Sequence, residues 1–225
     1  EQLNNVATEN VEVFDFNPGA VNQPVEFKGL FGDVSSDPQT IFGLDSILTS
    51  GGDDRMIEID ATQLASAGGA TVATNLYVGS AAGNDTVAGQ NTDATGSNDA
   101  TLTVEAGSGN DYVIGFNGPD SDDFLFGESG QDTLIGEGGD DFIDGGTDND
   151  GILGGPGNDT LLGGQGTDQI DGGANNDYIL GGSETDVLSG GTGNDTLTGG
   201  AGNDTISTNT GTDTVTAGAG DDVVN

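Results

Sequence analysis

Between residues 127 and 225 one aliphatic side chain returns every nine positions, at Leu134, Ile143, Ile152, Leu161, Ile170, Ile179, Leu188, Leu197, Ile206, Val215 and Val224. The span divides into eleven nine-residue frames in which this residue is always the eighth. In an extended chain successive side chains point to opposite faces, so positions seven to nine predict a three-residue strand that buries only its middle side chain. Such a strand cannot stand alone. Neighbouring frames must stack, two frames to a coil of eighteen residues, so that the aliphatic side chains form continuous stripes. The expected fold class is all-β, a solenoid.

The sixth residue of every frame is Asp: Asp132, Asp141, Asp150, Asp159, Asp168, Asp177, Asp186, Asp195, Asp204, Asp213 and Asp222. Glycine fills position one in nine of the eleven frames and positions two and four in eight each. This is what a tight turn needs if it visits φ > 0 and brings its backbone close to an ion. With two frames per coil, Asp132, Asp150, Asp168, Asp186, Asp204 and Asp222 stack in one column of turns, and Asp141, Asp159, Asp177, Asp195 and Asp213 in another. At the ~4.8 Å spacing of adjacent strands, such carboxylate ladders repel themselves unless a cation lies between them. Calcium takes six to eight oxygen ligands at flexible geometry, which aspartates and the carbonyls of Gly130, Gly139, Gly157, Gly166, Gly193, Gly202, Gly211 and Gly220 can supply. Zinc prefers His and Cys, and this chain has neither. Aspartates acting only as turn formers would be replaceable by Asn, yet Asn never takes the sixth position. Asp148, Asn175 and Glu184 replace glycine at position four. The first two tolerate left-handed backbone, and the frame of Glu184 is expected to be weakened or rearranged.

Composition narrows the function. There are 39 acidic residues against two basic ones, Lys28 and Arg55, for a formal charge of −37. That excludes nucleic acid as a partner and disfavours docking on anionic lipid. No apolar run is long enough for a transmembrane segment. Without His or Cys there is no Ser-His-Asp triad, thiol nucleophile or zinc protease motif, and the acidic residues are accounted for as ligands and surface. The chain is expected not to be an enzyme. Its 43 glycines and apolar content of 32% are poor material for a conventional core, so the metal-free repeats are expected to be expanded, with calcium binding supplying folding free energy.

Toward the N-terminus the register loosens. Gly118 to Phe126 carries Asp123 and Leu125 in frame, Ala106 to Ile114 carries Asp111 and Val113, and Ser80 to Ala88 is an isolated match with Asp85. Residues 78–126 therefore read as an irregular solenoid segment, with Asp111 and Asp123 as further calcium ligands, and 127–225 as the regular roll. Residues 1–77 hold Phe14, Phe16, Phe27, Phe31 and Phe42. They read as a small N-terminal β module or an irregular cap, with strands at Val11 to Phe16, Val25 to Leu30 and Met56 to Ile59 and turns at Asn17 to Gly19 and Ser50 to Asp53.

The frames Gly154-Gly155-Pro156-Gly157-Asn158-Asp159-Thr160-Leu161-Leu162 and Gly190-Gly191-Thr192-Gly193-Asn194-Asp195-Thr196-Leu197-Thr198 resemble the RTX calcium-binding repeats. The resemblance implies a right-handed parallel β-roll, multiple Ca2+ ions, and secretion by a type I system to the outside of a bacterium or its cell surface. The function expected is that of an extracellular structural protein, a surface-layer, sheath, filament or adhesin component. The alternative is the folding and secretion module of a secreted enzyme or toxin. Self-association or contact with neighbouring subunits or domains is also expected, because outward positions on one sheet carry Phe142, Leu162, Tyr178 and Leu180.

Overall fold

In the computed structural model, the structure describes residues 14–16, 46–49, 57–60, 75–80, 82–90 and 101–225. These form two parallel sheets and no helix. One sheet holds ten strands, from Phe14–Phe16 to Thr214–Ala219, and the other nine, from Ile57–Asp60 to Val223–Val224. From Ser46–Thr49 onward, successive strands in the chain alternate between the sheets. Each pair of consecutive strands makes one coil, and the architecture is a parallel β-roll.

The register follows the repeat. Ile143, Leu161, Ile179, Leu197 and Val215 pair across one sheet, and Leu134, Ile152, Ile170, Leu188, Ile206 and Val224 across the other. The inward aliphatic side chains from Leu134 to Ile206 are buried and make the core between the sheets. N-terminal to them the core is broader, because Leu102 and Val104 both point inward from the strand Thr101–Glu105, joined by Ala106 and Phe116.

The strands differ from the three residues expected. Eight of them run for six residues, through positions one to three of the following frame, as in Thr160–Gln165. Each of those eight contains glycine at position two of the following frame, where φ lies between 95° and 123°. Where Glu128, Glu137 or Asn209 stands there, φ is only 64° to 75° and the strands Phe124–Phe126, Thr133–Ile135 and Thr205–Ser207 stop at three. An L-residue reaches only the left-handed well near 60°, whereas glycine passes beyond it and keeps the ladder going.

The two sheets reach past residue 78 toward the N-terminus. Phe14–Phe16 pairs with Ser46–Thr49, which pairs with Asn75–Gly79, and Ile57–Asp60 pairs with Thr86–Gln90. The expected strand at Val25 to Leu30 and the turns at Asn17 to Gly19 and Ser50 to Asp53 lie outside the described residues.

Candidate metal centre

Each turn column is tied together by its aspartates. In the first, the backbone N–H of Asp132 donates to Asp150 Oδ1 at 2.9 Å, Asp150 to Asp168 at 2.8 Å, Asp168 to Asp186 at 2.9 Å, Asp186 to Asp204 at 2.9 Å and Asp204 to Asp222 at 2.9 Å. In the second, Asp123, Asp141, Asp159, Asp177 and Asp195 each donate to the Oδ1 of the next, ending on Asp213. The structure thus brings the predicted aspartates together in the two expected columns, each side chain facing the coil before it. Asp111 joins the first column through its N–H to Asp132 Oδ1 at 2.8 Å.

Only one carboxylate oxygen is used in this way. Oδ2 of Asp111, Asp132, Asp141, Asp150, Asp159, Asp168, Asp177, Asp186, Asp195 and Asp204 is buried with no hydrogen-bond partner. Leaving so many carboxylate oxygens desolvated and unmatched is costly without a cation. The electrostatics record that cost. Burial, partly opposed by the N–H bond and reinforced by neighbouring carboxylates, pushes Asp141 up to about 8, Asp150, Asp177 and Asp186 to about 7, and Asp132 to about 6. Burial, again opposed by the N–H bond, likewise raises Asp168 and Asp195.

Backbone oxygens complete the donor set. The position-one glycines were expected to serve φ > 0, but none of Gly127, Gly136, Gly145, Gly154, Gly163, Gly172, Gly181, Gly190 or Gly199 has positive φ. They are buried, on the strands or directly after them, and what they supply is room. A Cβ on Gly154 would lie 2.4 Å from Asp159 Oδ2 and 2.7 Å from the carbonyl oxygen of Gly172 in the next coil. At position four, Gly130, Gly139, Gly157, Gly166, Gly193, Gly202, Gly211 and Gly220 do have positive φ, and there the carbonyl of one coil closes on the Cα of the next. Gly139 O would lie 1.7 Å from a Cβ on Gly157, and Gly193 O 1.4 Å from one on Gly211.

Asp148, Asn175 and Glu184 also take positive φ, at 79°, 84° and 72°, in the left-handed well short of the 122° to 159° of the glycines at this position. Their carbonyls hold the same place, against Gly166, Gly193 and Gly202. The side chain of Glu184 folds over its turn, where Oε2 accepts from the Gly166 N–H at 3.1 Å and the Ser183 hydroxyl at 2.6 Å. Among the described residues no three acidic side chains converge on one point, since each turn offers a carboxylate among several carbonyls. Unmatched carboxylate oxygens beside backbone carbonyls are a donor set of hard oxygens, which suits calcium. The position-six aspartates and the turn carbonyls would hold the ions, and a bound cation supplies the positive charge that the ladders lack.

Asp123 stands apart. Both its oxygens are taken, Oδ1 by the N–H of Leu102 at 2.7 Å and Oδ2 by the N–H of Phe116 at 2.6 Å. The glycine packed on its carboxylate is Gly115, not Gly118, so this turn is three residues longer than the others.

Two features were not assigned from the repeat alone. Asp85, in the isolated match, enters the first column, its N–H donating to Asp111 Oδ1 at 2.7 Å. Position five builds a second ladder of opposite direction: the N–H groups of Asp140, Asn158, Asn176, Asn194 and Thr212 each donate to the side-chain oxygen one coil earlier, at 2.7–3.2 Å. The signal was the frequency of Asn and Asp at that position.

A parallel roll with two columns of oxygen-lined turns defines a class of cation-binding solenoid. The family model of the RTX calcium-binding nonapeptide repeat matches this chain in four copies, over residues 103–121, 118–152, 153–188 and 189–224. These cover more than half of its length, and the chain belongs to that family. Calcium is accordingly its ion. A search of curated proteins finds no match.

Proposed function

We propose that this chain is a calcium-binding structural protein of the bacterial exterior, a surface-layer, sheath, filament or adhesin component whose roll folds and stiffens as Ca2+ enters its turns. The observation that carries the reading is the run of buried, unpartnered Oδ2 atoms from Asp132 to Asp204. A folded roll needs the cation, and the cation is abundant outside cells. The absence of His and Cys from the sequence favours a non-catalytic role. No helix among the described residues is long and apolar enough to cross a membrane, which fits attachment through partners.

The test is far-ultraviolet circular dichroism of the chain in chelator, followed by a calcium titration. β-structure should appear cooperatively in the ~10⁻⁴–10⁻³ M range of extracellular calcium modules. A chelated chain with its full β signal would sink the calcium-folding part. Electron microscopy of the calcium-loaded protein tests the structural part, which predicts ordered sheets or filaments and is contradicted by monodisperse single rolls at every concentration.

A further inference from the structure

Asp123 sits in a motif that reads like its neighbours, with an aspartate at position six and Leu125 at position eight. Its environment is different. In the regular frames the residue after the position-one glycine has positive φ, whether it is Gly155, Gly164 or Glu137, and Oδ2 of the aspartate is left without a partner. After Gly115 the corresponding residue is Phe116, which does not have positive φ. Its N–H reaches Asp123 Oδ2 while its ring enters the core at 1% exposure. The three-residue extension of the turn, Phe116 to Gly118, allows that placement.

Leu102, itself fully buried, supplies the second N–H. Both oxygens of this carboxyl accept backbone N–H groups, so neither is left unmatched for a metal, although burial still outweighs these bonds and pushes the group up to about 8. The two successive coils that meet here also have the larger apolar core, with Leu102, Val104, Ala106, Phe116 and Leu125 all buried, so they depend less on ions for their folding energy.

We propose that Asp123 binds no calcium and instead closes a calcium-independent turn, against which the calcium-dependent turns of its own column, from Asp141 onward, stack. The inference rests on the calcium reading of the other aspartates, and the experiment separates the two. Bound calcium is counted by equilibrium dialysis on the whole chain and on Asp123→Asn and Asp159→Asn variants. Asp159→Asn should lower the count and Asp123→Asn should leave it unchanged. An equal loss in both overturns the proposal alone, whereas no loss in either overturns the calcium reading and the proposal with it.

Should Asp123→Asn fail to fold, hydrogen exchange on the unaltered chain in chelator gives an independent answer. The amides of Leu102 and Phe116 should exchange on the order of tenfold or more slowly than in an unfolded chain, while those of Asp159 and Asp177 exchange freely. Free exchange at Leu102 and Phe116 overturns the proposal.

Discussion

Glycine has two separate uses within one frame of this roll, and single substitutions tell them apart. At position one it leaves space for a carboxylate, and a Cβ is tolerated where the coil accommodates it, as at the buried Ala106. At position two it supplies a φ that no L-residue matches. Gly164 has φ 107°, and a Cβ there would meet Gly146 O at 2.2 Å. Gly164→Ala should destabilise the calcium-loaded roll by about 1–3 kcal/mol. Gly164→Asn should cost less, because Asn209 shows that Asn settles at φ 64° by giving up half the strand. Thermal melting at saturating calcium checks the order. The aspartates set the pH response. Their folded pKa values are raised, to about 6 for Asp132, 7 for Asp177 and 8 for Asp141, so the metal-free roll holds its protons more tightly than the unfolded chain does. Its stability is therefore greatest below the ordinary carboxylate value near 4 and falls as pH rises through 6 to 8. Circular dichroism in chelator should show more β-structure near pH 4 than near pH 8, and the reverse order would contradict the assignment of these groups.

Strands and turns act as stacked units, so position along the roll decides the cost of losing one. Asp168 accepts from the Asp150 N–H and donates its own to Asp186, whereas Asp222 only accepts, from Asp204. Asp168→Ala leaves a buried N–H unmatched, worth about 1–3 kcal/mol, or roughly 2–12 °C of melting temperature for a chain of this size. It also breaks the column in its interior. Asp222→Ala frays an end and should shift the melt far less, and equal shifts would contradict the ladder. On the outer face of the ten-stranded sheet, Phe124, Phe126, Phe142, Leu162, Tyr178 and Leu180 lie on four adjacent strands. The ring centroids of Phe142 lie 6.3 Å from Phe124 and 5.7 Å from Phe126. Leu162→Asp with Leu180→Asp should abolish assembly, seen by light scattering, while calcium-induced folding is kept. Lost folding would place the contact within the chain, and no effect on either would show the patch idle. The strand register and both turn columns were legible in the sequence because a solenoid's pairing is set by repeat length alone. The six-residue strands were not, since Gly-Gly reads as a break and only a φ near 110° turns it into a continuation. The longer turn of Asp123 was not legible for a related reason: an insertion before the motif changes which N–H meets the carboxylate while the motif itself stays intact.

At the scale of the whole molecule, the governing number is the formal charge of −37. Two ladders of aspartates stacked coil on coil concentrate part of that charge where water is excluded, so the polyanion opposes its own fold until cations enter. Calcium that binds the rolled form and not the open chain shifts the equilibrium by mass action, and in a stack where each turn's carboxylate reaches the coil before it the uptake is cooperative. Composition made this legible before any fold was known. It could not reveal that the coil around Leu102 and Phe116 carries a conventional core, because that depends on which turns the chain lengthens. The central claim, that calcium and compaction are one event, is tested most directly by small-angle scattering during a calcium titration. The account predicts that the radius of gyration falls from about 50 Å in chelator, the scale of an unfolded chain of this length, to about 20 Å once calcium is saturating. A chain that is equally compact in chelator and in calcium would contradict it.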